Sequence, residues 1–160
     1  MKILSLFSGC GGMDLPFHYT GFKLVWAIDS DFYACRTFRR NISNIIENNQ
    51  IENINIAEVP EADLIIGGFP CQDISQAGRG AGIEKGTRSG LWFEMLRVIS
   101  EVRPKFIIIE NVPMLTIRGG TRVIEGLAEI GYDAEWTVMG ANEVGARHIR
   151  KRLWIVAYSN

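Results

Sequence analysis

The sequence has no long apolar run. Its hydrophobic stretches, such as Phe106 to Ile109, stay far short of the roughly 18 residues that cross a bilayer, so no membrane span is expected. Met1-Lys2-Ile3-Leu4-Ser5-Leu6-Phe7 breaks at Ser8-Gly9, too short for a secretory signal, and an intracellular address is the expectation. Cysteine is scarce: three residues, at 10, 35 and 71, form no CxxC pair. An odd number without metal-like spacing points to free thiols in a reducing compartment, one of them open to a reactive role, and to no bound metal. Excess charge is missing as well. Lys plus Arg number 17 against 18 Asp plus Glu, a net charge of -1, so any affinity for nucleic acid must come from a local patch.

What is present is an ordinary core with a charged skin, 47% hydrophobic and 22% charged over 160 residues. That length suits one domain, residues 1–160, with no linker or internal repeat dividing it. Strand-length apolar runs alternate with stretches of helical period, the α/β signature. Strands are expected at Lys2 to Phe7, Lys23 to Ile28, Asp63 to Gly67, Lys105 to Glu110, Tyr132 to Met139 and Leu153 to Tyr158. A helix is expected from Asp31 to about Asn48, with Phe32, Cys35, Phe38, Ile42 and Ile45 on one face. A second, capped by Ser89, turns Leu91, Trp92, Met95, Val98, Ile99 and Val102 to the sheet and ends before Pro104. A third, Thr121 to Ile130, is closed by Gly131. The expected result is a doubly wound, mostly parallel sheet of Rossmann-like type.

In such sheets ligands bind beyond the carboxyl ends of the strands, so the residues that follow each strand carry the chemistry. After the first comes Phe7-Ser8-Gly9-Cys10-Gly11-Gly12, a loop in which backbone can press against a ligand and offer N–H groups. Asp29 ends the second strand, where a carboxylate accepts hydrogen bonds from two ribose hydroxyls. Loop and acid read as a nucleoside-cofactor site or, more plainly, as a tight turn and a helix-capping Asp. The missing GxGxxG spacing disfavours NAD and leaves other adenosyl cofactors open. After the third strand Gly67-Gly68-Phe69-Pro70 presents Cys71 at the ligand edge, a placement that suits a nucleophile better than an inert thiol. Glu110-Asn111-Val112 puts a carboxyl beside the same cleft. Following four apolar residues, it would have a raised pKa and could donate a proton, unless it is an N-cap or a surface acid. Arg150 and Arg152, two apart on an extended segment, point the same way, as phosphate or carbonyl ligands or as a solvated strand edge.

These residues together resemble the cytosine carbon-5 DNA methyltransferase family. Phe7 to Leu15 is similar to its cofactor loop, Asp29 to its ribose-binding acid, and Gly68-Phe69-Pro70-Cys71-Gln72 to its nucleophile motif. Glu110-Asn111-Val112 resembles its ENV motif and Arg88-Ser89-Gly90-Leu91 the segment after the catalytic loop. His148-Ile149-Arg150-Lys151-Arg152 resembles its QxRxR, with His in place of Gln. The likeness runs from Leu6 to Val156 in the family's linear order. It implies S-adenosyl-L-methionine as cofactor, held by Phe7, Ser8, Gly9, Cys10, Gly11, Gly12, Asp29, Ser30, Pro70 and Leu91. The adenine-contacting acid has no clear counterpart, Asn53-Ile54 being the nearest match and Asn55-Ile56 the next.

The resemblance also implies duplex DNA with a flipped-out cytosine as substrate. Cys71 would add to carbon 6, Glu110 would contact ring nitrogen 3, and Arg150 and Arg152 would hold base carbonyl and phosphate. The glycine-rich stretch from Gln72 to Arg88 would close over the base, with Gln72, Ser75, Arg79, Lys85, Arg88 and Asn111 facing DNA. A surface loop of no function is the plainer reading of that stretch. A restriction-modification role in a prokaryotic or phage-like cytoplasm is implied, while a tRNA cytosine methyltransferase, a remnant without turnover and a nicotinamide oxidoreductase stand as rivals. The family's target-recognition region and last two motifs have no room in 160 residues. The expectation is a truncated gene, an excised piece or one half of a split enzyme whose partner polypeptide supplies the rest, with little activity of its own.

Overall fold

Runs of Ile and Leu buried on both faces can only be central strands of a covered sheet. In a computed structural model, which describes residues 1–70 and 90–159, β1 (Lys2–Leu6) and β4 (Leu64–Gly67) are such strands, with four consecutive buried residues each. The elements follow as β1, α1 (Asp14–Tyr19), β2 (Lys23–Asp29), α2 (Phe32–Asn41), β3 (Ile46–Asn48), β4, α3 (Leu91–Val102), β5 (Phe106–Asn111), α4 (Gly120–Glu129), β6 (Tyr132–Gly140) and β7 (Lys151–Ser159). The sheet order is β3-β2-β1-β4-β5-β7-β6. β3, β2, β1, β4 and β5 are parallel, and β7 runs antiparallel to both β5 and β6. This is the doubly wound, mostly parallel α/β sheet expected from the sequence. No helix among the described residues is long and apolar enough to cross a membrane.

The stripe on α3 behaves as its period requires: Trp92, Met95, Val98 and Ile99 are fully buried against Leu4, Ile65, Ile107 and Ile109 of the sheet. Each such side chain contributes about 1.5–3 kcal/mol by leaving water. The helix ends at Arg103, which takes the left-handed conformation before Pro104. Its first described turn has Gly90 at the cap position; Ser89, the expected cap, lies outside the described residues.

The long helix expected from Asp31 to Asn48 is instead a helix and a strand. α2 stops at Asn41, and β3 pairs parallel with Ala27 to Asp29 of β2. Ile42 and Ile45 still pack on Cys35 and Phe38, but by folding back onto the helix rather than by extending it. Phe32, placed on the buried face by its spacing, is exposed in the first turn against Tyr33. The short helix α1 was not anticipated, and its Met13 and Phe17 neighbourhood packs on Ile3, Leu64 and Ile66.

Candidate active site

The strand order reverses between β1 and β4, and there the connections leave in opposite directions and open a crevice beyond the strand ends. Leu6 pairs with Gly67 at that point, so Phe7 and Gly68 emerge side by side. Both line two cavities, one of about 670 Å³ and one of about 340 Å³, the two lobes of one cleft.

The smaller lobe is walled by Asp29, Ser30, Pro70 and Leu91, all expected at a cofactor, together with Gln50 and Ile51. Asp29 is held on both oxygens: Oδ2 accepts from the Gly9 N–H and Oδ1 from the Asp31 N–H, each at 2.8 Å. It does not cap α2, a task done by Asp31, whose Oδ1 accepts from the Ala34 N–H at 2.7 Å. Asp29 therefore fixes the glycine loop while facing the lobe. Within that loop, Gly11 sits at φ +86° and a Cβ there would lie 2.1 Å from Ile42 Cδ1, so packing of the loop on the α2 cluster requires glycine. Ser8 is buried and donates to Ser5 Oγ at 2.8 Å. Gly9, Cys10 and Gly11 shape the loop without lining either lobe, and Cys10 is exposed.

Asn53 and Ile54, the nearest sequence match for the adenine contact, line a separate cavity with Trp26 and Glu58, as does Asn55. The lobe is reached instead by Gln50, Ile51 and Glu52. The displacement follows from β3: once Ile46–Asn48 pairs as a strand, the residues just beyond its carboxyl end face the cleft. The step from Ile45-Ile46 to Asn48-Asn49, apolar β-branched residues followed by turn formers, was the signal available in the sequence.

The larger lobe is lined by Ser8, Gly12, Met13, Asp14, Gly68, Glu110, Arg150, Arg152 and Trp154, among others. Glu110 and Arg152 come from β5 and β7, where Glu110 is opposite Trp154 and so lies diagonal to Arg152 on one face of the sheet. Glu110 Oε1 and Arg152 Nε are 2.6 Å apart and both side chains are partly exposed. The carboxyl is thus matched with a guanidinium, not isolated at the end of an apolar strand as its sequence neighbours suggested. A Cβ on Gly68 would stand 2.9 Å from the Glu110 carbonyl oxygen and 3.1 Å from Oε2, so glycine at 68 permits the close approach of β4 to this acid. Met139, Gly140, Ala141 and Val144 complete the wall from the end of β6 and the turn after it. No local motif marked them, because the antiparallel β6–β7 pairing brings them there.

Asn111 departs from its expected place facing DNA. It is 3% exposed, its Nδ2 donates to the Phe69 carbonyl at 3.1 Å and its Oδ1 accepts from the Val112 N–H at 2.8 Å. It ties the end of β5 to the backbone just before Pro70-Cys71. Cys71, Gln72, Ser75, Arg79, Lys85 and Arg88 lie outside the described residues. Of the other cysteines, Cys35 is buried on α2, and burial, followed by the charge of Asp29, pushes its thiol up. That makes Cys35 an unreactive packing thiol. Among the described residues no group of three or more His, Cys, Asp or Glu is arranged to hold a metal ion.

The family model described as C-5 cytosine-specific DNA methylase matches residues 1–160. The type II methyltransferase M.NgoFVII of Neisseria gonorrhoeae is 40% identical over 161 residues, 97% of this chain and 43% of its own length. The type II methyltransferase M.Bsp6I of Bacillus sp. (strain RFL6) is 39% identical over 166 residues, 100% of this chain and 53% of its own. The crystal structure of S. pombe Dnmt2 methyltransferase shares the fold with a TM-score of 0.80 at 22% identity, over 100% of this chain and 51% of that one. The chain spans about half the length of the curated relatives it matches.

Proposed function

The chain belongs to the C-5 cytosine-specific DNA methylase family, and on that premise we propose that it forms the cofactor- and base-binding part of an enzyme that methylates carbon 5 of cytosine in DNA. The observation that carries the reading is the charged lobe. Glu110, Arg150 and Arg152 line one lobe beyond the strand ends together with Gly68, which lines both lobes and stands three residues before Cys71 in the chain.

The residues present fit S-adenosyl-L-methionine. The smaller lobe offers Asp29 as an acceptor for ribose hydroxyls and Ile51 and Leu91 as apolar walls for a purine. When bound, the cofactor supplies an electrophilic methyl group. Cytosine carbon 5 is a poor nucleophile until carbon 6 has accepted an electron pair, and the Cys71 thiolate is the group proposed to donate it. Glu110, as the protonated acid, donates its proton to ring nitrogen 3 and so counters the negative charge that spreads over the ring, while Arg152, 2.6 Å away, orients that carboxyl. Arg150 is free to take the base carbonyl or a flanking phosphate. Loss of the carbon 5 proton then expels the thiolate and restores the ring. A base stacked in a duplex cannot reach this lobe, so the cytosine has to be flipped out.

Duplex DNA containing 5-fluorocytosine tests the reading, because fluorine does not leave as the proton does and the adduct persists. Mass spectrometry of the chain incubated with this DNA and S-adenosyl-L-methionine is expected to locate a methylated base on Cys71. An adduct on Cys10 or Cys35, or one that survives Cys71→Ala, overturns the assignment. Trapping on tRNA in preference to duplex DNA overturns the substrate.

A further inference from the structure

Asp14 opens α1 and is 1% exposed, yet neither of its carboxylate oxygens has a hydrogen-bond partner among the described residues. Burial pushes its carboxyl up to about 6, offset only in part by the nearby Ser5 hydroxyl and its own backbone N–H, neither of which is in hydrogen-bond geometry with it. An ionised carboxylate buried without donors costs several kcal/mol. Asp14 is not walled off, however. It lines the larger lobe next to Gly12 and Met13, in a lining that also holds Glu110, Arg150 and Arg152.

The chemistry that would satisfy it follows from the two lobes and rests on the cofactor reading above. With the nucleoside beside Asp29, the amino-acid tail has to pass Phe7 and Gly68 into the larger lobe, since those residues line both. Of the two described acids lining that lobe, Glu110 is paired with the Arg152 guanidinium at 2.6 Å, whereas neither oxygen of Asp14 has a hydrogen-bond partner among the described residues. The sulfonium has charge but no N–H, so it cannot fill the lone pairs of a carboxylate. The α-ammonium has three donors. We propose that Asp14 is a binding residue for the α-ammonium group of the cofactor's amino-acid tail, a contact made from the first turn of α1, beyond the Phe7 to Gly12 residues expected to hold the cofactor.

Calorimetric titration of the purified chain with S-adenosylhomocysteine, its analogue lacking the α-amino group and 5′-methylthioadenosine tests the assignment. Asp14→Asn is expected to weaken S-adenosylhomocysteine by about tenfold to a hundredfold, the range of a charge-assisted hydrogen bond. It should leave the other two ligands within about twofold of the parent, since neither carries the ammonium. Asp29→Ala should weaken all three, which separates failure of this contact from failure of the cofactor reading. Equal losses for all three ligands on Asp14→Asn, or none, overturn the proposal. So does a loss seen for S-adenosylmethionine and not for S-adenosylhomocysteine, which would assign Asp14 to the sulfonium. If the variant does not fold, the unaltered chain decides: the deaminated analogue must bind about tenfold or more weakly than S-adenosylhomocysteine, and parity overturns the contact. The melting temperature of the unliganded chain gives an independent readout. It is expected to rise in Asp14→Asn, whereas an acid kept for packing would lower it when replaced.

Discussion

The two lobes of the cleft use their acids in opposite ways. In the smaller, Asp29 is held on both oxygens by backbone N–H groups of the loop and of the turn before α2, so its position is set before any ligand arrives. In the larger, neither oxygen of Asp14 has a hydrogen-bond partner among the described residues, and Glu110 is paired with the Arg152 guanidinium. A carboxylate held by backbone costs little to keep ionised and presents a ready-made contact. One without donors is stable only once a ligand completes it. The difference divides the labour: the smaller lobe is preorganised to bind, and the larger holds charge in reserve for groups that arrive.

The sharpest way to break that comparison is at Glu110. Glu110→Gln keeps the shape and removes the charge, and it is expected to slow formation of the 5-fluorocytosine adduct by about a hundredfold or more. Affinity for S-adenosylhomocysteine should change by less than about threefold, because the acid acts on the ring and not on the nucleoside. A drop in cofactor affinity as large as the drop in rate would erase the distinction between the lobes.

The next effect is a pH dependence of stability. The carboxyl of Asp14 titrates at about 6 in the folded chain and near 3.8 when exposed, so the folded state favours the protonated form. Its contribution is present below about pH 4 and is lost as the pH rises through 6, a difference of about 3 kcal/mol for two pKa units. Charges sharing the cavity, namely Glu110, Arg150 and Arg152, are common to parent and variant and cancel in the comparison. Urea unfolding of the unliganded chain at pH 4.5 and pH 7.5 should therefore show Asp14→Asn gaining on the parent at the higher pH. A constant difference between the two proteins at both pH values would mean that Asp14 meets donors of its own.

The smallest effect sharpens the other lobe. Asp29→Ala removes both the ribose acceptor and the anchor of Gly9, and is expected to weaken S-adenosylhomocysteine and 5′-methylthioadenosine alike by about 1.5–3 kcal/mol. Unequal losses, larger for the ligand with the tail, would show that the lobes are coupled through the loop.

Several features could be read without coordinates because they depend on neighbours in the chain. The stripe on α3 and its stop before Pro104, the closure of α4 by Gly131 and the placing of acids after apolar runs all follow from local period and backbone preference. The split of Asp31 to Asn48 into α2 and β3 could not be read that way. Ile42 and Ile45 satisfy a helical period and a folded-back chain equally well, and only hydrogen bonding to β2 decides between them. That Asn53-Ile54 lie outside the smaller lobe follows from the same split, since the end of β3 determines which residues line it.

The amino-acid sequence by itself determined the class of the sheet, the glycine loop after β1 and the residue types that line the cleft, because each is written in adjacent residues. Tertiary structure alone decided which charges find partners. Glu110 meets Arg152 across β5 and β7, Asn111 turns inward to hold the Phe69 carbonyl, and Asp14 is buried with neither oxygen hydrogen-bonded among the described residues. Pairing of this kind depends on strand register and packing between residues far apart in the chain, and no spacing rule along the backbone encodes it.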